Sequence, residues 1–166
     1  MADDADALES SYRRHAGMVF RRARVLLGND ADAHEVVQDV FLSLFERPEQ
    51  FAGRSSLVTF LYGATTHACL NRIKQRNNRA RLVEQRVRCV QEGTEQGNMS
   101  MEERYALHRA LERMPEQLAR VLVYAHVDGL THEEIAELLG CSERQIGKLL
   151  ERLARWRREE ERPCGS

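Results

Sequence analysis

The side chains of this sequence that could do chemistry are its four cysteines, its six histidines and the bases crowded into two segments. Cys69, Cys89, Cys141 and Cys164 show no paired spacing, whereas a zinc site needs two close ligand pairs on a loop or turn. His67 and Cys69 are the one close pair, and they lie on a stretch with helical periodicity. Buried or idle thiols are therefore expected, and no metal site. There is no Gly-rich phosphate loop, no Gly-x-Ser-x-Gly elbow and no His-Glu-x-x-His pair. The run His132-Glu133-Glu134 sits inside a helix-capping pattern that explains it otherwise. An enzyme is not expected, and neither is a cofactor.

What remains is charge placed for a polyanion. Lys and Arg number 25 against 26 Asp and Glu, a formal net charge of −1 that hides a strong segregation. Residues 1–10 carry four acids and no base. Between Asn71 and Arg88 stand seven bases (Arg72, Lys74, Arg76, Arg79, Arg81, Arg86, Arg88) and one acid, Glu84. From Arg144 to Arg162 there are seven bases and four acids. Such blocks matter more to a polyanion than the total, because a patch acts over a Debye length of about 8–10 Å.

The elements that must position these residues are all helical. Hydrophobic residues make up 42% of the chain, too many for a disordered one. No apolar run approaches the roughly 18 residues of a membrane span. The acidic start lacks the features of a signal peptide, so a cytoplasmic protein is expected. A first helix is expected from about Asp6 to Leu27, ended by Gly28 and Asn29. Asp30 can cap a second, whose Ala33, Val36, Val37, Val40, Phe41 and Leu44 follow the i, i+3, i+4, i+7 pattern. After Pro48 and the loop 50–55, a long helix from about Ser56 is apolar in its first half and basic in its second. The polar, glycine-bearing stretch from Gln91 to Asn98 reads as a linker. The fold class expected is all-α, as two small helical domains, 1–88 and 100–166, joined by a flexible linker, 89–99, the second domain holding a helix-turn-helix.

That second module opens with the capping box Ser100-Met101-Glu102-Glu103, and Pro115 suits the first turn of its next helix, which Gly129 stops. Two short helices then follow directly. Thr131–Glu134 and Ser142–Gln145 are both capping boxes, with Ala136, Gly140 and Ile146 between and after them. A small residue for close approach, a glycine for the turn and an aliphatic pin make a helix-turn-helix. Its second helix would lie in the major groove, with Ser142, Glu143, Arg144, Gln145 and Lys148 towards the bases and Arg152 and Arg155 nearer the backbone.

Thr131 to Gly140 followed by Ser-Glu-Arg-Gln-Ile resembles the carboxy-terminal promoter-binding domain of a sigma-70 family transcription factor. Leu27 to Phe41 resembles the helix with which such factors grip the polymerase clamp. Phe51 to Tyr62 resembles the loop and helix that melt and read the minus-ten element. Two modules and a short linker match the small extracytoplasmic-function group. The chain departs from the family pattern at Phe60, usually Trp, at Ala64–His67 and at Ile146–Leu149, where Gly147 stands mid-helix.

The resemblance implies a transcription initiation factor that recognises the minus-35 element with the second module and melts the minus-ten element with the first. Its partners would be core RNA polymerase, at clamp and flap, and promoter DNA, duplex and single-stranded. Factors of this group are often held by an anti-sigma protein. No membrane insertion is expected. Asp32, Glu35, Gln38, Asp39 and Phe41 would meet the polymerase clamp. Phe51, Phe60 and Tyr62 are the rings that could capture an unstacked base, beside Arg54 and Ser55 of the loop. Arg72, Lys74, Arg76 and Arg79 would hold phosphates. A helix-turn-helix repressor that does not act through core polymerase is the competing reading, but it leaves the clamp-like helix unexplained.

Overall fold

The computed structural model describes residues 2–51, 53, 55–83 and 99–160, and among these every regular element is helical. Helix α1 spans Ala2–Leu27, reaching back before Asp6; α2 is Asp30–Glu46 and α3 is Leu57–Val83. The chain turns between α1 and α2 at Gly28, whose φ of 80° is a left-handed value that favours glycine. Asn29, rather than Asp30, then caps α2: it is extended, and its side chain accepts from the Asp32 amide at 2.8 Å. Asp30 is the first helical residue instead and pairs with Arg24 at 2.9 Å.

The apolar stripes read from the sequence pack against one another. Val19, Ala23 and Leu26 of α1, Ala33, Val36, Val37, Val40 and Phe41 of α2, and Leu61, Leu70 and Ile73 of α3 form one core, joined by Cys69. Burial pushes the Cys69 thiol up to about 12, so it stays an uncharged packing group. Two polar residues, Thr65 and Thr66, are also fully buried. Each hydroxyl donates back to the carbonyl four residues earlier, Leu61 at 2.6 Å and Tyr62 at 2.9 Å, which satisfies it inside the helix.

Helix α4, Met101–Arg113, starts at the expected capping box, with Glu103 N to Ser100 Oγ at 3.2 Å and Ser100 N to Glu103 Oε2 at 2.8 Å. The chain separates into two units, 1–112 and 113–166, so α4 groups with the first. Its His108 Nε2–H donates to the Leu26 carbonyl at 2.5 Å, and Arg104 lies against Gly28, where an added Cβ would come within 2.7 Å of Arg104 Cδ. The expected linker, apart from Met99, lies outside the described residues.

The second unit holds α5 (Glu116–Leu122), α6 (His132–Leu139) and α7 (Glu143–Glu160). Pro115 precedes α5 as its cap rather than entering its first turn. The helix also stops before the expected Gly129. From Val123 to Val127 the chain makes a wider π turn, in which Asp128 N donates to the Val123 carbonyl at 3.0 Å, before Gly129 at φ 67°. Leu118, Val121, Val123, Tyr124, Ile135, Ile146 and Leu153 are buried together, while Leu138, Leu139, Leu149 and Leu150 are half-buried.

Candidate nucleic-acid interface

In the second unit, α6 and α7 are set by local bonds at every joint. Thr131 accepts from Glu134 N at 3.3 Å, and Glu134 returns a bond from Thr131 N at 2.7 Å. Thr131 Oγ1 also donates to Glu134 Oε2, at 3.0 Å, and the bond from Thr131 N together with this one holds the Glu134 carboxyl below its ordinary value. Gly140 ends α6 in the left-handed conformation, φ 63° and ψ 37°. Ser142 and Gln145 then repeat the box, with Gln145 N to Ser142 Oγ at 3.3 Å and Ser142 N to Gln145 Oε1 at 3.0 Å. The turn between the helices is thereby fixed by two caps and one glycine. Ile146 and Leu153 pin α7 to the core, fully buried.

Opposite that buried stripe, Ser142, Glu143, Arg144, Gln145, Lys148, Arg152 and Arg155 are all exposed. Arg144, Lys148, Glu151 and Arg155 follow helical spacing on the outermost strip, a face of three bases to one acid. Gln145 and Lys148 also edge a cleft of about 600 Å³ with Arg152, Cys141 and Arg120. Arg120 comes from α5, where it pairs with Glu116 at 2.9 Å. It was not singled out from the sequence, because nothing local to α5 shows that it faces α7.

In the first unit the acids and bases assigned to two different partners meet each other. Asp32, Glu35 and Asp39 lie at helical spacing on one face of α2, and Arg72 of α3 faces all three. Its guanidinium pairs with Glu35, with Asp39 at 3.2 Å and with Asp32 at 3.6 Å. Arg76, one turn on, pairs with Asp32 as well. Asp32 is held further by Asn29 Nδ2 at 2.6 Å and is 15% exposed, whereas Glu35 and Asp39 are 57% and 65% exposed. Gln38 is exposed beside them. Phe41 is not: its ring is 5% exposed and meets Tyr12 edge-on at 5.0 Å, so its side chain supports α2 from behind. The apolar groups that α2 does expose are Leu42 and Phe45.

Ahead of α3, Ser56 caps the helix by accepting from Thr59 N at 3.1 Å. Phe51 and Phe60 stand edge to face, 5.5 Å between centroids, and both are half-buried, as is Ser55. Tyr62 is covered on one face by the Arg22 guanidinium, 3.6 Å from the ring centroid. Arg22 also donates to Thr66 Oγ1 at 2.7 Å, tying α1 to α3. This arginine too was missed, since its partners lie some forty residues further along the chain. Lys74 is half-buried and Arg76 exposed. Arg54 and the Arg79 side chain lie outside the described residues.

The sequence matches the family Sigma-70 region 2 over residues 11–79 and the family Sigma-70, region 4 over residues 104–155. This chain belongs to the sigma-70 family. Among relatives of this family, it is 27% identical to the ECF RNA polymerase sigma factor SigM of Mycobacterium tuberculosis over 157 residues, 95% of this chain and 76% of the relative. It is also 27% identical to the ECF RNA polymerase sigma-E factor of Escherichia coli K12 over 139 residues, 76% of this chain and 70% of the relative. These place it in the extracytoplasmic-function group of sigma-70 factors. Two solved structures share the fold: the sigma factor RpoE bound to the anti-sigma factor NepR from Bartonella quintana, and CnrH bound to the cytosolic domain of CnrY. For the first, the TM-score is 0.50 at 16% identity, covering 89% of this chain and 91% of that one. For the second it is 0.51 at 19% identity, covering 90% and 84%.

Proposed function

We propose that this sigma-70 family chain works through two surfaces: α7 reads the minus-35 element as duplex, while α2 and α3 serve the polymerase clamp and the minus-ten element. The coarse activity is that of the family: the chain binds core RNA polymerase and gives it promoter specificity. It supplies recognition, and the chemistry belongs to the polymerase, so the chain itself is not an enzyme. The observation that carries the finer reading is the exposed strip of α7, capped and pinned so that Arg144 and Lys148 are exposed near the start of the helix, with Gln145 held between them by the capping box. Residues of these types at that place donate to base edges and phosphates.

On α2, Gln38, Glu35 and Asp39 are exposed polar groups that would meet the polymerase clamp, with Asp32 behind them. Phe51 and Phe60 flank the loop that would take an unstacked base, with Ser55 and Arg54, and Tyr62 would add a further ring from the same helix as Phe60. Lys74, Arg76, Arg79 and, in part, Arg72 would hold phosphates there, as Arg152 and Arg155 would on α7. Residues 1–88 would form the clamp and minus-ten module and 100–166 the minus-35 module, whose second partner is the polymerase flap. We place the activity in the cytoplasm at the nucleoid; no described helix is long and apolar enough to cross a membrane. One structural relative, RpoE of Bartonella quintana, is seen with the anti-sigma factor NepR, which supports such a partner for this chain. A helix-turn-helix regulator acting without polymerase is not favoured, because the first unit matches sigma-70 region 2. Co-elution with core polymerase and run-off transcription on candidate promoters test the reading. The expected result is stoichiometric binding and promoter-dependent transcripts; duplex binding without either would return the repressor reading.

A further inference from the structure

The acids of α2 and the arginines of α3 suit opposite partners, a basic protein surface and a phosphate backbone, yet in the free chain they neutralise one another. Arg72 faces three carboxylates at once, and Arg76 takes a second bond to the most buried of them, Asp32. The two ends of this cluster differ. Asp32, 15% exposed and gripped by Asn29, is a fixed anchor. Glu35 and Asp39 are more than half exposed, and ion pairs so open to water are weak and readily exchanged. The Arg72 side chain is itself only 23% exposed, and its guanidinium is turned to the carboxylates of α2. A phosphate reaching it must compete with carboxylates already in place.

We propose that Arg72, with Arg76 beside it, is a counter-charge shared between two binding events. A basic partner that takes Glu35 and Asp39 releases the guanidinium to phosphate, and a phosphate that takes the guanidinium frees the two carboxylates for the partner. Linkage makes the effect reciprocal: each ligand raises affinity for the other by the same factor. The free chain is thereby kept from nucleic acid by its own acids. The device rests on the reading that α2 meets the polymerase and α3 meets DNA, but its central claim concerns this chain alone.

The test is a double-mutant cycle on the full chain without polymerase, measuring affinity for a fluorescein-labelled oligo-dT strand as salt is raised. Glu35→Ala with Asp39→Ala is expected to raise affinity about fivefold or more, the lower end of ordinary coupling between sites. It should also steepen the salt dependence by about one phosphate contact. In the R72Q background the same pair of changes should lose most of that gain. General relief of negative charge would give the same gain in both backgrounds. That result, or no gain in either, overturns the proposal. Glu35→Ala alone repeats the test with one exposed side chain changed, and circular dichroism checks that each variant keeps its helices. Core-polymerase binding is measured separately, so absence of that binding counts against the function while the cycle still decides the counter-charge.

Discussion

Arg144 and Arg72 carry the same guanidinium into different surroundings. Arg144 is exposed at the start of a capped helix, with the Ser142–Gln145 box holding the backbone around it. Arg72 is enclosed by carboxylates. Substitution should separate them. Arg144→Ala is expected to flatten discrimination at one base pair of the upstream element by about 1–3 kcal/mol, the worth of a bidentate contact to guanine. Competition binding with single-base variants of the site reads this directly, and an equal loss on every sequence would make Arg144 a phosphate contact. Phe51 offers a different residue-scale test. Its ring meets Phe60 edge-on and is only half-buried, so Phe51→Ala should cost little stability but weaken opening of the minus-ten region. Permanganate reactivity of unpaired thymines should fall while filter binding of the closed complex changes less.

At the scale of the element, the joint between α6 and α7 uses one glycine by necessity and carries another without one. Gly140 sits at φ 63°, so Gly140→Ala should destabilise the second unit by about 1 kcal/mol through backbone strain alone, since open space surrounds the site. Gly147 lies inside α7, and a Cβ added there meets nothing within 4 Å. Gly147→Ala is therefore expected to stabilise by about 1 kcal/mol, the difference in helix propensity. Thermal melts of the two variants should move in opposite directions. If Gly147→Ala leaves the melt raised but DNA binding weakened, the glycine serves the approach of α7 to DNA.

At the scale of the whole chain, α4 belongs to the region 4 match from Arg104 onward yet contacts the end of α1 through His108. Burial pushes the His108 pKa below its ordinary value, and the nearby Arg76 and Arg104 guanidinium groups add to the push, while the bond to Leu26 opposes it. The unfolded chain therefore binds a proton more readily than the folded one between the two values. Stability from this contact is complete above the ordinary histidine pKa and is lost as pH falls through that window. Melting temperatures compared between about pH 7.5 and pH 5.5 should fall more for the natural chain than for a His108→Gln variant, which cannot titrate there. Equal slopes would show that other groups carry the acid sensitivity.

Much of this protein was determined locally and was legible for that reason. Three capping boxes, at Ser100, Thr131 and Ser142, close through bonds spanning three residues, and the buried stripes of α1, α2 and α7 repeat within a turn or two. A helix-turn-helix is built almost wholly from such short-range terms, so its exposed strip could be named from residue types and spacing. Two departures were local choices that residue spacing alone leaves open. Asn29 took the cap from Asp30 once Gly28 adopted its left-handed turn, and α5 yielded to a π turn at Val123 ahead of its expected stop at Gly129. Only the tertiary structure brought Arg72 onto Asp32, Glu35 and Asp39, and Arg22 onto Tyr62 and Thr66. Periodicity tells which face of a helix is polar, but which charges on two polar faces meet depends on how each helix is rotated and where the two cross, and the packing of the apolar faces behind them decides both.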